Sequence, residues 1–410
     1  MNDQDLSSST REARVYDWIR TLTDFPDRIA GSAYERQAAE RIGGWLREIG
    51  FTDVSAVPAP GGARTGWSLA LHTGLGLLGC YWGGLLGILL ALVALISFRR
   101  EQSKRGLLLS RLLPAHESVN VIGRAGNPTA ARRVIVSAHI DTTEAGWMFS
   151  KSVAEQFAQI NQSARRPDDQ PQPPHAVPAL LLLLAVVVAT GGWLGAHGFL
   201  FGLLKLGVCG GLLIATALGI QWAMSPATPG ANDNASAVAA MLTCAEQLRN
   251  GLPEDVELWV VGTGAEECGH GGMRSIVDQH PDWSREHTFY VNFECVGGGH
   301  LHYIVSEGML SRVSYPPMLI ELARRVAAGG RFGEITPTHL LAGTDGNVPA
   351  HLGYPTLSLI TLEATGVPRN YHRPEDTVDG IDLAAVVRAA DFGTAVARAA
   401  LHGAAGPIET

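Results

Sequence analysis

The chain has 410 residues, enough for one large domain or two ordinary ones. Only 17% of residues are charged, the formal net charge is −8 without a basic block, and mean hydropathy is positive. That balance argues against a nucleic-acid partner and says that part of the chain avoids water.

In chain order, the polar first stretch "MNDQDLSSSTREARVYDWIR" shows no apolar leader. Val15, Trp18, Ile19 and Leu22 repeat at helical spacing, as do Ala38, Ile42, Trp45, Leu46 and Ile49, which predicts two amphipathic helices between Thr10 and Gly50. "FTDVSAV", "SVNVIGRAG" and "RRVIVSAHID" read as strands. Further on, "NASAVAAMLTCAEQLRNG" predicts a helix, "VELWVVGTG" a strand, "GHGGMRSIVDQH" a helix and "TFYVNFECVG" a strand. "YPPMLIELARRVAAGG" reads as a helix, "YPTLSLITLE" as a strand and "DLAAVVRAADFGTAVARAALHG" as a closing helix. This alternation implies an α/β layer fold with a largely parallel sheet. The five cysteines, Cys80, Cys209, Cys244, Cys268 and Cys295, are widely spaced and form no CxxC pair. Neither a disulfide framework nor a cysteine zinc site is expected, which suits a reducing compartment.

Two apolar segments interrupt the rhythm. Ser68 to Phe98 carries no charge, and Val177 to Trp222 carries only Lys205. Both exceed the roughly 18 apolar residues that make a membrane span plausible. If the surrounding sheet lies on one side of a membrane, each segment crosses an even number of times. The second divides into Pro178–Gly195 and Phe199–Trp222. The first, broken at Gly83 and Gly84, gives arms expected to be too short to cross fully, so a shallow hairpin or two tilted helices is expected. Arg64 before it and Arg99, Arg100, Lys104 and Arg105 after it mark both flanks as cytoplasmic. An integral protein of an inner or plasma membrane, with its catalytic part on the cytoplasmic side, is the expected location. Within these segments only Lys205, His72 and His197 are polar enough to suggest transport, too few for that function. The expected layout is a sheet domain in three pieces (1–66, 114–160, 225–410), apolar insertions at 67–113 and 177–224, and a Pro- and Gln-rich linker at 161–176.

Candidate chemistry gathers after the predicted strands. "VIVSAHIDTTEAG" ends a strand in His139 and Asp141, and "PGANDNASA" sets Asp233 before a helix. "GTGAEECGHGG" presents Glu266 and Glu267, "VNFECVGGG" presents Glu294, and "NYHRPEDT" presents His372. Open α/β sheets build their sites at these carboxyl ends. Taken singly, each has an ordinary explanation: a local hydrogen bond, a helix N-cap or a solvated pair. Those explanations do not account for all of them recurring in Gly-rich, apolar turns. Imidazoles and carboxylates suit Zn²⁺ and its neighbours, and a carboxylate can bridge two ions. Of two adjacent glutamates, one can ligate while the other moves a proton. Asp141, two residues past His139, suits a group that fixes the imidazole tautomer.

In this order the motifs resemble metallopeptidase family 28, the co-catalytic zinc aminopeptidases that also include glutamate carboxypeptidases. The resemblance covers Thr10–Val57, His116–Thr143 and Thr228–Gly403 and neither apolar segment. It implies a zinc-aminopeptidase-like αβα sandwich with a mixed, largely parallel sheet, to which transmembrane helices are added. It further implies one zinc ion on His139, Asp233 and Glu267 and another on Asp233, Glu294 and His372, with Asp233 bridging. Glu266 would be the general base, Asp141 the orienting residue, and Asp345, within "GTDGNVPAHLGYPTLSLI", a supporting one. The family more often has Asp where this chain has Glu294, so a single ion is an alternative, as are Co²⁺ and Mn²⁺.

The expected function is that of a membrane-bound zinc aminopeptidase whose partners are a peptide substrate and the lipid bilayer. The alternatives are an N-acyl-amino-acid amidohydrolase or dipeptidase for amphiphilic substrates and, in another class, a non-catalytic receptor or scaffold. Arg312, Arg369 and Arg373 are candidates for a substrate carboxylate. The second insertion falls between His139 and Asp233, either as a plain anchor or as a guide for amphiphilic substrates.

Overall fold

The apolar runs expected to be strands lie side by side in one mixed sheet. The computed structural model describes residues 8–103, 106–153, 155–156, 176–308 and 311–402, so most of the expected linker at 161–176 lies outside the described residues. The strands are β1 (Asp53–Ala59), β2 (Ser118–Gly126), β3 (Arg132–His139), β4 (Val256–Thr263), β5 (Thr288–Glu294), β6 (His300–Glu307), β7 (Val313–Ser314), β8 (Thr336–Leu340) and β9 (Thr356–Leu362). Their order is β1-β2-β4-β3-β5-β9-β6-β7, with β8 also paired to β6. The centre, β4-β3-β5-β9, is parallel, whereas β1 and β2 run antiparallel to their neighbours and β6 runs antiparallel to β9 and parallel to β8.

Helices cover both faces because successive side chains of a central strand point to opposite sides. Val134 and Val136 of β3 pack with Ile19, Ile42, Val238 and Val396 on one face. Ile135 packs with Trp259, Met273, Ile276 and Tyr290 on the other. This is the expected αβα sandwich. Strands β6 to β8 were not anticipated from the sequence.

The insertions form a bundle of four helices, Thr65–Trp82, Gly84–Gln102, Ala176–Trp193 and Phe199–Ala223. The bundle has its own apolar interior, which includes Leu69, Phe98, Leu182 and Leu212. The second insertion divides where the sequence suggested. The first turns at Gly83 and Gly84, and its helices begin at Thr65 and run on to Gln102, giving arms of 18 and 19 residues, longer than its uncharged stretch. At 1.5 Å per residue they are about 27 and 28.5 Å long. Ala176–Trp193 and Phe199–Ala223 are long and apolar enough to cross a membrane, by length and composition.

Close backbone approach holds the two hairpins together. A Cβ on Gly66 would lie 2.6 Å from the Gly219 carbonyl, and one on Gly219 would lie 2.8 Å from that of Gly66. Glycine, without a Cβ, permits backbones to come this close. Two polar groups of the bundle find partners within it. Lys205 donates to the Tyr81 carbonyl at 3.0 Å, at the end of the first helix. His72 is fully buried and bonds Ser97 at 2.8 Å.

Candidate metal centre

Neighbouring strands deliver the first pair of groups. Ser137 of β3 stands opposite Asn292 of β5, and the two bond at 2.9 Å. Two residues further along each strand are His139 and Glu294, which therefore face the same side at the same level. His139 Nε2 lies 3.1 Å from Glu294 Oε1 and 3.3 Å from Asp233 Oδ1. Its Nδ1 donates to the Asp141 backbone carbonyl at 3.1 Å, which turns Nε2 toward the carboxylates.

Asp233 lies in an irregular segment ahead of the helix Ala237–Arg249. The Asp376 carboxylate accepts the backbone N–H groups of Asn232 and Asp233 at 2.8 and 3.0 Å. The buried guanidinium of Arg28 donates to the carbonyls of Ile140 and Gly230 at 3.1 and 2.9 Å, tying this turn to the end of β3. Burial lowers the pKa of Arg28 to about 10.

The second pair comes from loops. His372 Nε2 lies 3.2 Å from Asp233 Oδ2 and 3.4 Å from Glu267 Oε1. Glu267 follows β4, and its N–H and that of Glu266 both donate to the Asp141 carboxylate at 3.1 Å. Asp141 thus positions His139 through its carbonyl and the two glutamates through its side chain.

Two triads could hold a metal ion, His139–Asp233–Glu294 and Asp233–Glu267–His372, with the ligand atoms of each within 4.8 Å of one another. The expected pairing is corrected: Glu294 belongs with His139 and Glu267 with His372. Register is the reason, since β5 runs beside β3 whereas the loop after β4 reaches across to His372. Asp233 remains common to both triads, one oxygen toward each imidazole.

The electrostatics favour a cation. Burial pushes Glu267 and Glu294 up in pKa, and nearby Asp233 adds to the shift. Burial works to lower His139 and His372, yet the facing carboxylates outweigh it, raising His372 to about 10 and His139 well above its usual range. Both oxygens of Asp233 are buried without a hydrogen bond. Buried, unsatisfied oxygen and imidazole donors fit zinc and its neighbours.

Glu266 is in neither triad. His270 Nδ1 lies 3.0 Å from its Oε1 and 3.4 Å from Asp345 Oδ1, while Asp345 also accepts from the Thr263 hydroxyl. Burial and the neighbouring carboxylates hold Glu266 well above the ordinary carboxylate range. His270, Asp376 and Arg28 escaped the sequence reading. The first two stood inside the quoted motifs "GAEECGHGG" and "YHRPEDT", but spacing gave them no role.

A cleft of about 670 Å³ opens beside Glu267 and is lined by Arg64, Thr65, Trp67, Leu113 and Glu144. Arg64 Nε pairs with the buried Glu144 at 3.0 Å, and its Nη1 donates to the Ala223 carbonyl at 3.1 Å. Burial raises Glu144 to about 7, and Arg64 pulls it back. Arg369 is engaged elsewhere, with Glu363 at 2.6 Å and the Gly380 carbonyl at 2.9 Å.

Residues 219–397 match the family model for Peptidase family M28. Aminopeptidase YwaD of Bacillus subtilis is 30% identical over 174 residues, which are 42% of this chain and 37% of that protein. The chain thus matches little more than a third of that curated relative's length. Solved structures share the fold across nearly the whole chain. A zinc aminopeptidase from Bacillus subtilis superposes with a TM-score of 0.53 at 16% identity, covering 94% of each chain. A Zn-dependent exopeptidase from Parabacteroides distasonis gives 0.51 at 14% identity, covering 94% of this chain and 96% of that one. A glutaminyl cyclase from Bacteroides thetaiotaomicron gives 0.53 at 15%, covering 93% and 96%. The resemblance to metallopeptidase family 28 read from the motifs holds, and the fold is that of the zinc aminopeptidases.

Proposed function

We propose that this chain, with its Peptidase family M28 segment, is a membrane-bound zinc metallopeptidase that releases N-terminal residues from peptides. The observation that carries the proposal is the division of Asp233, with Oδ1 3.3 Å from His139 and Oδ2 3.2 Å from His372. Two ions would be held by His139, Asp233 and Glu294 and by Asp233, Glu267 and His372. When bound, such ions lower the pKa of water and stabilise negative charge on oxygen.

The chain's own groups do the rest. Glu266, raised in pKa and outside both triads, takes a proton from the attacking water and returns it to the leaving amine. His270, itself within 3.4 Å of Asp345, holds its carboxylate in place. Asp141 sets the imidazole of His139 and the peptide of the glutamate pair. The intact base and ligand set disfavours a scaffold without activity.

Membrane attachment rests on the bundle. Leu85, Leu89, Leu200, Leu206 and Ile214 face outward on it, as lipid-facing side chains would. Tyr81, Trp82 and Trp193 lie exposed near the helix ends away from the sheet, where aromatic belts form. All four helices return to the sheet domain, so that domain stays on one side.

A second reading has its own observation. Arg64, partly exposed in the cleft and fixed by Glu144 and Ala223, is placed to pair with a substrate carboxylate. This favours dipeptides or N-acyl amino acids. Detergent-purified protein, reconstituted with zinc, should be assayed on aminoacyl p-nitroanilides, dipeptides and N-acyl amino acids, with Asp233→Ala as control. Turnover of the anilides supports the aminopeptidase, and turnover confined to substrates with a free carboxylate supports the second reading. Inactivity on all three, with zinc bound, would sink both.

A further inference from the structure

The two triads are supported by different parts of the molecule. His139 and Glu294 end adjacent strands whose register and Ser137–Asn292 bond belong to the sheet. Glu267 and His372 sit in loops, and both are touched by the helical bundle or by side chains seated on it. The hydroxyl of Thr65, at the start of the first bundle helix, donates to the Glu267 carbonyl. Phe149 packs edge-on against the His372 ring, with centroids 4.6 Å apart. Trp222, in the last turn of the helix Phe199–Ala223, packs on Phe149 at 5.0 Å and lies 6.1 Å from His372. Its indole N–H donates to the Glu144 carbonyl at 2.7 Å.

These contacts are linked within the bundle. Arg64 donates to the Ala223 carbonyl at 3.1 Å, and the backbones meet at Gly66 and Gly219. The two helix ends are therefore tied to each other.

We infer that the helical bundle braces one metal site selectively: Thr65 and Trp222 are positioning residues for the Asp233–Glu267–His372 site, and the His139–Asp233–Glu294 site is independent of them. The inference rests on the two-ion reading. Groups just outside a metal's ligands fix ligand geometry, and their loss typically weakens metal binding by about 10- to 100-fold. The insertions are in that case more than an anchor, because they complete the site for one ion.

The test is zinc binding to the full-length, detergent-purified protein across a series of zinc-buffered solutions, with bound metal counted by elemental mass spectrometry. In the double variant, Thr65→Val removes one hydrogen bond and keeps the side chain's shape, and Trp222→Phe removes the other together with part of the indole that packs on Phe149. The wild type should bind two ions. The variant should bind one of them about tenfold or more weakly and the other unchanged. In a His372→Ala background, where the braced site has lost a ligand, the pair of substitutions should leave the remaining ion's affinity unaltered. Equal weakening of both ions, or no weakening, overturns the inference while the two-ion reading stands. A wild type that binds one ion or none overturns both. Should the double variant fail to fold, Thr65→Val alone, which deletes one hydroxyl, carries the same expectation.

Discussion

The imidazole of His270 lies 3.0 Å from the carboxylate of Glu266, and both are buried where β4 gives way to the helix Gly271–Asp278. Its Nδ1 is also 3.4 Å from Asp345, so one imidazole stands between two carboxylates. His270→Ala is expected to lower kcat by about tenfold or more through misplacement of the base. Bound zinc should be unchanged, because His270 is in neither triad. Loss of metal together with activity would show instead that His270 supports the ligands.

Glu266→Gln keeps the shape of the side chain and deletes the proton acceptor. A drop in kcat of about 10²- to 10⁴-fold is expected, with KM and zinc content preserved. Turnover within a few-fold of the wild type would remove Glu266 from the mechanism.

Glu307, which is in neither triad, supplies a pH signature. It is fully buried, accepts from Tyr315 at 3.0 Å and from the Thr344 N–H at 3.1 Å, and burial pushes it up to about 8 from an ordinary 4.5. Between those values the folded chain keeps a proton that the unfolded chain has released. Stability contributed by this group is therefore present below the ordinary value and falls as pH rises toward the folded one. Glu307→Gln removes that dependence. Thermal melts should show the variant gaining on the wild type steadily from pH 5 to pH 8, and a constant offset across this range would refute the assignment.

Gly219→Val would test the seam of the bundle. The new Cβ would lie 2.8 Å from both the Ala70 nitrogen and the Gly66 carbonyl, and backbone cannot give way as a side chain can. A loss of about 1–3 kcal/mol is expected from overpacking, read as a lower melting temperature in detergent. An unchanged melt would mean that the helices separate there at little cost.

Much of this architecture is legible in the sequence, for reasons that show where legibility ends. His139, Asp233, Glu267, Glu294 and His372 could be found because they follow apolar runs in short turns, the carboxylates' turns being rich in glycine. Their grouping could not, because chain order does not reveal that β5 lies beside β3 with Ser137 opposite Asn292. The halves of the first insertion looked short because only its uncharged stretch marked it. Thr65 and Gln102 extend the helices past those marks, and Arg99 and Arg100 lie in the last turn of the second. Strands β6 and β8 stayed hidden because their alternation, as in "HLHYIVSE", includes histidines and is brief. His270 was visible as a letter, but its contact with Asp345 depends on a part of the chain far from it.

The position of β3 in the chain also has a consequence for biogenesis. This strand occupies the middle of the sheet, yet it is translated after the first pair of bundle helices and before the second. Its neighbours β4 and β5 follow only after the helix Phe199–Ala223. The ribosome must therefore deliver both hairpins, and Asp233 after them, before the sheet's centre can close. Both helical pairs are thus available before the hydrolytic machinery is complete, so a chain still in transit is expected to be inert toward the peptides around it.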